Sequence, residues 1–376
     1  MKTIIQVLGD VQPVFEFDFD YRFLFEDLPT EEHMLLVNIF RIVFEDRFLI
    51  DKENSGRGRP VRSRCSIYRS FIAKAVLQIP TRPKLINRLK SDRNLRKICG
   101  FLTIKDIPSE ATFSRVFSEF ADEEINQKIH ECMIKENMAN ILVGHINRDS
   151  TAIHAREKPV NKKKDVKVKQ KRKRGRPKRG EIIEPKEEPR IKLQVEQTAE
   201  EALAEINKDA AWGCKKSSHG KRNHWKGYKL HLDVNDFGLP ITAVLTGANV
   251  YDNQLAIPME KITEERIAFL YSLMDSAYDA GTIRDFIRMN NRVPIIDHNK
   301  RKGEKTQFSP AEKIRFKTRS VVERSNAHLK DWLFGAAIYV KGHKKVMQHL
   351  MFGVIVLSAI KILQYIIKPA SLKKAG

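Results

Sequence analysis

Cysteine is scarce in this chain: only four of its 376 residues are cysteines, and they lie far apart. No two of them have the spacing of a metal-binding or disulfide-bonded pair, so neither a zinc site nor a disulfide framework is indicated. The N-terminal residues lack a basic stretch followed by a long apolar run, so we expect no secretion signal. These absences favour a reducing compartment, and we expect the protein to be cytoplasmic.

Long hydrophobic runs are also nearly missing. Residues 347–367 form the one apolar stretch that approaches the length of a membrane span, and Lys361 and Gln364 interrupt it. A span needs roughly 20 apolar residues. We therefore expect this segment to be a buried core helix, and we expect no membrane partner.

Positive charge, by contrast, is abundant. The chain has 69 Lys and Arg against 47 Asp and Glu, which gives a formal net charge of +22. Such an excess indicates an anionic partner, nucleic acid above all. Hydrophobic residues make up 41% of the chain, which excludes disorder throughout, and the length predicts two or three domains.

The first 140 or so residues have the hydrophobic spacing of helices. Thr30 and Ser109 stand where helix N-caps are expected. We divide this part into an N-terminal helical segment, residues 1–55, and a basic helical domain, residues 56–138.

Residues 139–368 have the pattern of an α/β domain. A buried strand is expected to end at Asp149, a hairpin to turn at residues 235–238, and a further strand to end at Asp275. Ser309 and the residues after it form a capping box, which predicts a long helix lasting to about residue 335.

A basic insert, residues 156–216, interrupts this α/β domain. Its first part, residues 156–192, holds 17 Lys and Arg against 6 Asp and Glu, a net charge of +11. Few of these residues are apolar, so we expect this part to be disordered unless bound. The tail of the insert has the pattern of an amphipathic helix.

Two aspartates at predicted strand ends indicate a candidate metal site. The carboxyl ends of neighbouring strands are where functional groups converge in α/β sheets. Carboxylates brought together at that edge repel each other unless a divalent cation with oxygen preference, most simply Mg²⁺, lies between them. The alternative is that each aspartate only ends a strand, since the Asp-Ser-Thr of 149–151 also suits a turn.

One face of the predicted long helix adds a third acid. Arg319, Glu323 and Lys330 are four and seven residues apart and fall within roughly 40° of one another on a helix. A solvated face with an i,i+4 ion pair is the alternative interpretation. It does not account for an acid that follows two strand-end aspartates.

These residues resemble the motifs of the insertion-sequence transposases with a DDE catalytic triad. Phe316, Arg319, Glu323 and Lys330 are similar to the Tyr-x2-Arg-x3-Glu-x6-Lys signature of one subgroup, with Phe in place of Tyr. Residues 149–151 and 275–279 are similar to the family's first and second aspartate motifs.

The resemblance implies a ribonuclease-H-like catalytic domain behind a helical DNA-binding domain. It implies that Asp149, Asp275 and Glu323 are the catalytic and metal-binding residues, holding two Mg²⁺ ions, with Asp149 shared between them and Mn²⁺ as a substitute. Arg319 and Lys330 would grip DNA phosphates. The partners would be the terminal inverted repeats of the element and the target DNA. A homodimer would hold two ends together in the nucleoid.

The insert contains a second candidate DNA-binding motif. Residues 171–178 resemble an AT-hook, in which Arg174 and Arg176 would lie in the narrow minor groove of A·T-rich DNA. A polybasic linker that binds any phosphate is the alternative.

Two other functions remain open on the sequence. A non-catalytic AT-hook protein derived from a transposase would bind DNA without metal-dependent cleavage. A ribonuclease-H-like nuclease would degrade nucleic acid without specific ends and without joining products.

Overall fold

The computed structural model describes residues 28–49, 62–159, 188–216, 220–300, 304, 306–335 and 337–367. Most of the basic insert, including the AT-hook-like residues 171–178, lies outside these ranges.

The described part of the N-terminal region is helical, as the sequence pattern predicts. Thr30 caps the first helix with a capping box, and the Ser109 side chain accepts a hydrogen bond from the Thr112 amide at the start of another. The helices are α1 (Glu31–Val43), α2 (Arg64–Val76), α3 (Arg82–Ser91), α4 (Arg93–Ile98), α5 (Glu110–Asp122) and α6 (Ile125–Met138).

A six-stranded mixed sheet follows. Its strands are β1 (Val143–His154), β2 (Ala211–Lys216), β3 (Arg222–Val234), β4 (Pro240–Gly247), β5 (Phe269–Met274) and β6 (Val293–Ile296). The strand order is β2-β3-β1-β5-β6, and β4 also pairs with β3. β3 is antiparallel to β1, β2 and β4, whereas β5 is parallel to β1 and β6. This α/β arrangement is compatible with a ribonuclease-H-like domain.

The predicted hairpin joins β3 to β4. Gly238 has φ of +88°, the left-handed backbone that the turn needs. The Asn235 side chain accepts hydrogen bonds from the amides of Phe237 and Leu239, which holds the turn closed.

The expectation that the first strand ends at Asp149 is wrong. β1 continues five residues further, to His154, because the antiparallel strand β3 stays paired with it from Asn147 to His154. Its parallel partner β5 stops sooner, and their last paired residues are Asn147 and Leu273. Asp149 thus lies in mid-strand, beyond the end of β5.

The C-terminal part of the proposed insert is folded onto the sheet domain. Two helices, α7 (Arg190–Glu196) and α8 (Ala199–Ala204), pack against α9 (Ala256–Glu264), in line with the helical pattern of the tail. β2 (Ala211–Lys216), which the sequence did not indicate, is an edge strand on β3.

The helix opened by Ser309 is not one regular helix. Its capping box is confirmed, but a 3₁₀ turn (Lys317–Arg319) separates α11 (Pro310–Phe316) from α12 (Ser320–His328), and a π-helical segment (Leu329–Leu333) follows. Another helix, α10 (Gly281–Met289), lies between β5 and β6.

The last helix, α13 (His343–Ile362), is a core helix. It is long and apolar enough to cross a membrane by length and composition, but most of it is buried within the fold. It packs against α1, α2, α5 and α6 on the helical side and against β4 on the sheet side. The ring of Phe352 lies 5.2 Å from that of Tyr68 and 5.4 Å from that of Phe71, measured between centroids. The helical region and the sheet therefore share one hydrophobic core.

Candidate active site

The pairing of β1 with β5 brings Asp149 and Asp275 to the same place. Asn147 and Leu273 are the last paired residues, and each aspartate lies two positions further along its strand. Asp275 follows the final residue of β5, and its Oδ1 accepts a hydrogen bond of 2.9 Å from the Ala277 amide. The convergence expected at this edge therefore holds, although only one of the two acids ends a strand.

Helix α12 brings the third acid to this edge. α12 packs against β1 and β3, and the 3₁₀ turn before it contacts β1. Glu323 lies in the first turn of α12, and Arg319 lies at the end of the 3₁₀ turn.

The guanidinium of Arg319 contacts all three carboxylates. Its Nη1 donates to Glu323 Oε1 at 2.7 Å and its Nη2 donates to Asp149 Oδ1 at 3.0 Å. Asp275 Oδ2 lies 3.8 Å from the same Nη2. The structure thus brings together the three acids that the sequence indicated, and it places between them a residue that the sequence indicated only as a DNA contact.

The two aspartates are held in an environment that disfavours their charge. Burial raises the pKa of Asp149, the neighbouring charge of Asp275 raises it further, and Arg319 and Lys215 oppose the shift. Burial also raises the pKa of Asp275, again against Arg319. One arginine does not fully offset the burial and mutual repulsion of these carboxylates.

Lys330 lies near this cluster but makes none of its contacts. Within the described ranges it has no hydrogen bond and no ion pair, yet its charge acts on Asp149. Lys330 lies in the π-helical segment that begins at Leu329, after the α-helical segment that holds Glu323. Phe316, at the family's tyrosine position, packs on Phe308 with ring centroids 4.9 Å apart.

Asn326 was missed by the sequence analysis. Its Nδ2 donates to Asp149 Oδ2 at 3.3 Å, while its Oδ1 is buried and has no hydrogen-bond partner among the described residues. Its position three residues after Glu323 was the available signal, because residues three apart share a helix face.

A buried ion network fixes β1 directly beside Asp149. Arg148 has no exposed surface, and its Nε and Nη2 each donate to Asp233 on β3 at 2.6 Å. It also donates to Glu260 and to the Ala256 carbonyl of α9. Adjacent residues of a strand point to opposite faces, so this network on one face holds Asp149 on the other.

The donor set fits a divalent cation with oxygen preference. Three carboxylates and the unpartnered amide oxygen of Asn326 are hard oxygen donors, the kind that Mg²⁺ takes in proteins. Across the described ranges, no group of three or more His, Cys, Asp or Glu side chains is already arranged as a metal site. Arg319, held among the acids, supplies the positive charge in this arrangement.

Two comparisons with family models identify the class of protein. Residues 148–358, more than half of the chain, match the model of the transposase DDE domain. Residues 23–119 match a second model, described as a transposase domain. No curated protein and no solved structure matches the chain.

The chain therefore belongs to the DDE transposases of insertion sequences. It is an enzyme that cleaves DNA and transfers DNA strands, and proteins of this family generally use divalent metal ions. The three converging acids all lie inside the stretch that matches the DDE domain.

Proposed function

We propose that this transposase binds the terminal inverted repeats of its own insertion sequence, cuts the DNA there and joins the 3′ ends to target DNA. The convergence of Asp149, Asp275 and Glu323 on the guanidinium of Arg319 carries the proposal. An acid from β1, one that directly follows β5 and one from α12 meet at one point, as a metal-dependent phosphoryl-transfer site requires.

In this proposal the three carboxylates hold Mg²⁺, most simply two ions, with Mn²⁺ as a substitute. When bound, the metal activates the entering oxygen and stabilises the leaving oxygen of an in-line displacement at phosphorus. Arg148 and Asn326 keep Asp149 in position, because each is tied to a different element around β1.

Arg319 and Lys330 bind phosphate in this scheme. Arg319 presents a planar fork suited to a phosphate's oxygens, and in the absence of DNA the same fork is occupied by carboxylates. Lys330, without a partner among the described residues, is available to an incoming backbone.

The remaining assignments follow the domain division proposed from the sequence. Residues 56–138 would recognise the element end, which is supported by the exposed Lys84, Arg88 and Lys90 on α3. Residues 139–368 would form the catalytic domain, with an AT-hook in the insert over 156–216. Two copies of the protein would hold two element ends together, and the protein would be associated with the nucleoid.

The test compares two linear duplexes of equal length with purified protein, Mg²⁺ and a supercoiled target. One duplex carries the element's terminal repeats, read from the flanking DNA, and the other carries scrambled ends. The proposal expects cuts at the repeats and joined products from the first duplex only.

Each rival function has its own outcome in this experiment. Binding of both duplexes without any cut in Mg²⁺ would indicate an architectural DNA-binding protein. Equal degradation of both duplexes without joined products would indicate a nuclease.

A further inference from the structure

Strands β2 and β3 form a two-stranded ribbon that extends beyond β1. β1 ends where His154 pairs with Gly227, and β2 pairs with the part of β3 that lies before this point, from Arg222 to Gly227. We call Ala211–Lys216 with residues 222–226 the ribbon. In the sequence the ribbon lies between Asp149 and Asp275.

The ribbon is anchored through Trp225. This side chain is buried and lies across the ribbon from Gly213, where a Cβ atom would come within 2.4 Å of its ring. Its Nε1 donates to the Tyr228 carbonyl at 3.0 Å. Since the ring takes up the space beside Gly213, β2 packs closely against β3 at the base of the ribbon.

Lys215 lies on this ribbon, close enough to the acid cluster for its charge to act there. Its side chain is exposed, and within the described part of the chain it has no hydrogen bond and no ion pair. Its positive charge nevertheless acts on Asp149 and on Asp275, in each case lowering the carboxyl pKa. It is therefore a cation near the candidate active site, and it has no partner of its own among the described residues.

Lys330 faces the same acids from the helix. Its amine is partly shielded from water, which lowers its pKa, and the nearby charge of Lys215 lowers the pKa further. Two unpaired cations from separate elements thus lie close enough to repel each other. An anion between them relieves that repulsion, and the oxygens of a DNA backbone are the anions that this enzyme handles.

The outer face of the ribbon suits the same partner. Trp212 is 61% exposed and pairs across the ribbon with Lys226, and Arg222 is exposed near the other end. Exposed aromatic rings interleaved with basic side chains are typical of surfaces that bind nucleic acids.

We propose that the ribbon is a DNA-contacting arm of the active site, in which Lys215 binds a backbone phosphate next to the scissile one while Lys330 binds from the opposite side. This inference rests on the proposed function, because it takes the DNA at the three acids as given. The competing explanation is that Lys215 only offsets the negative charge of the acids.

The test measures binding of an element-end duplex without divalent ions at several salt concentrations. We expect Lys215→Gln to reduce the slope of log K against log salt by about 0.9, the value for one lost phosphate contact. Lys215→Arg keeps the charge and should keep the slope. Lys344→Gln removes an exposed lysine from the first turn of α13, outside the proposed end-recognition domain, and is the matched control, expected to behave as wild type.

A second readout locates the contact. Methylphosphonate groups, which are uncharged, replace single phosphates near the cleavage position. At the contacted phosphate the replacement should weaken binding by wild type and by Lys344→Gln but not by Lys215→Gln. A Lys215→Gln slope equal to that of the control, or the same methylphosphonate losses in all variants, would overturn the proposal.

Wild-type cleavage of the same duplex in Mg²⁺ runs in parallel. Because binding is measured without metal, a failure to cleave counts against the proposed function alone. Unchanged binding by Lys215→Gln with normal wild-type cleavage counts against the ribbon alone.

Discussion

Arg319 is the residue that holds the three acids together without metal. Its side chain is only 13% exposed, and it contacts Asp149, Asp275 and Glu323 at once. A buried guanidinium with three acids around it is stabilising only while those acids remain charged and close. A bound divalent cation would provide the same positive charge, so the arginine and the cation are alternatives at this point.

Replacement of Arg319 should therefore make the fold more dependent on divalent ions. We expect Arg319→Gln to lower the free energy of unfolding by about 1–3 kcal/mol without metal, since charge-assisted hydrogen bonds are lost. Added Mg²⁺ should then raise Tm more than it does in wild type. Thermal melts at fixed ionic strength, with and without Mg²⁺, measure both effects.

Arg324→Gln is the control for this prediction. Arg324 lies one residue after Glu323 on the exposed side of α12, and its loss should leave the Mg²⁺-induced shift at the wild-type value. If the Mg²⁺-induced rise in Tm is the same in Arg319→Gln as in wild type, Arg319 does not take the place of a bound cation.

His349 gives the fold a dependence on pH. It is partly buried in α13, its Nε2 donates to the Phe334 carbonyl at 2.9 Å, and its shielding from water lowers its pKa from 6.5 to about 4. Below pH 6.5 the imidazole of His349 is protonated in the unfolded chain, whereas in the folded chain it stays neutral until the pH approaches 4. Stability from this group is therefore full above pH 6.5 and is lost as the pH falls towards 4.

His349→Gln should flatten this dependence. Glutamine can donate to the same carbonyl but takes up no proton, so the loss of stability between pH 6.5 and 4 should shrink by about one proton's worth, roughly 1.4 kcal/mol per pH unit. Urea denaturation at stepped pH measures it. At pH 7–8 the two proteins should differ only by a constant; parallel curves down to pH 4 would exclude His349 as the cause.

Among individual residues, the sequence predicted the three acids better than it predicted their surroundings. The two aspartates were predicted because each comes at the end of a buried strand pattern. Glu323 was predicted because it lies on a helix that a capping box begins. The bridging role of Arg319 and the approach of Lys215 depend on the register of β2 and on the 3₁₀ turn before α12. Neither of these is encoded in local spacing.

Among the elements, α13 does most to join the parts of the fold. Its residues are buried along nearly its whole length, and they contact helices of the N-terminal region on one side and β4 on the other. Its apolar content was enough to predict burial. What it packs against could not be predicted, because a helix that is hydrophobic all round carries no preferred face.

Leu350→Ala should destabilise the whole fold. Leu350 is completely buried in α13, and such truncations cost about 2–5 kcal/mol through lost apolar contact and the cavity that remains. Leu102→Ala, at a position 77% exposed, is the matched control and should change stability by less than about 0.5 kcal/mol. Chemical denaturation followed by circular dichroism compares them.

The same measurement tests whether one core is shared. Loss of stability in Leu350→Ala should move the unfolding of the helical region and of the sheet together. Two separated transitions, of which only one moves, would show that α13 belongs to one part alone.

Helix ends and the hairpin were predictable, while irregular geometry was not. The capping box at Ser309 and the N-cap at Thr30 were both predicted, because Ser and Thr before a helical pattern are local signals. The π-helical segment at Leu329–Leu333, which contains Lys330, has no such local pattern.

The whole molecule combines a basic surface with a small acidic centre. The chain carries a net charge of +22, yet its three site acids converge around a single arginine. Excess positive charge attracts DNA from a distance, whereas we propose that the three acids bind metal ions. This division of charge follows from the composition, but the position of the acidic centre required the fold.

The AT-hook hypothesis is tested by DNA binding of the whole protein, because residues 174 and 176 lie outside the described residues. We expect Arg174→Ala with Arg176→Ala to reduce binding to A·T-rich duplexes more than to G·C-rich ones, because the narrow minor groove of A·T tracts attracts arginine. Tm should be unchanged. A competition assay with both duplexes at fixed salt measures this, and equal losses would indicate a polybasic tether.

Cleavage of an element-end duplex in Mg²⁺ by single acid variants tests the central claim most directly. Asp149→Ala, Asp275→Ala and Glu323→Ala should each reduce cleavage by more than about a hundredfold while end binding stays near wild type. Asp285→Ala, which removes a carboxylate that is 70% exposed on α10, should cleave as wild type does. Cleavage at the wild-type rate by any of the three acid variants would remove that residue from the site and contradict the account.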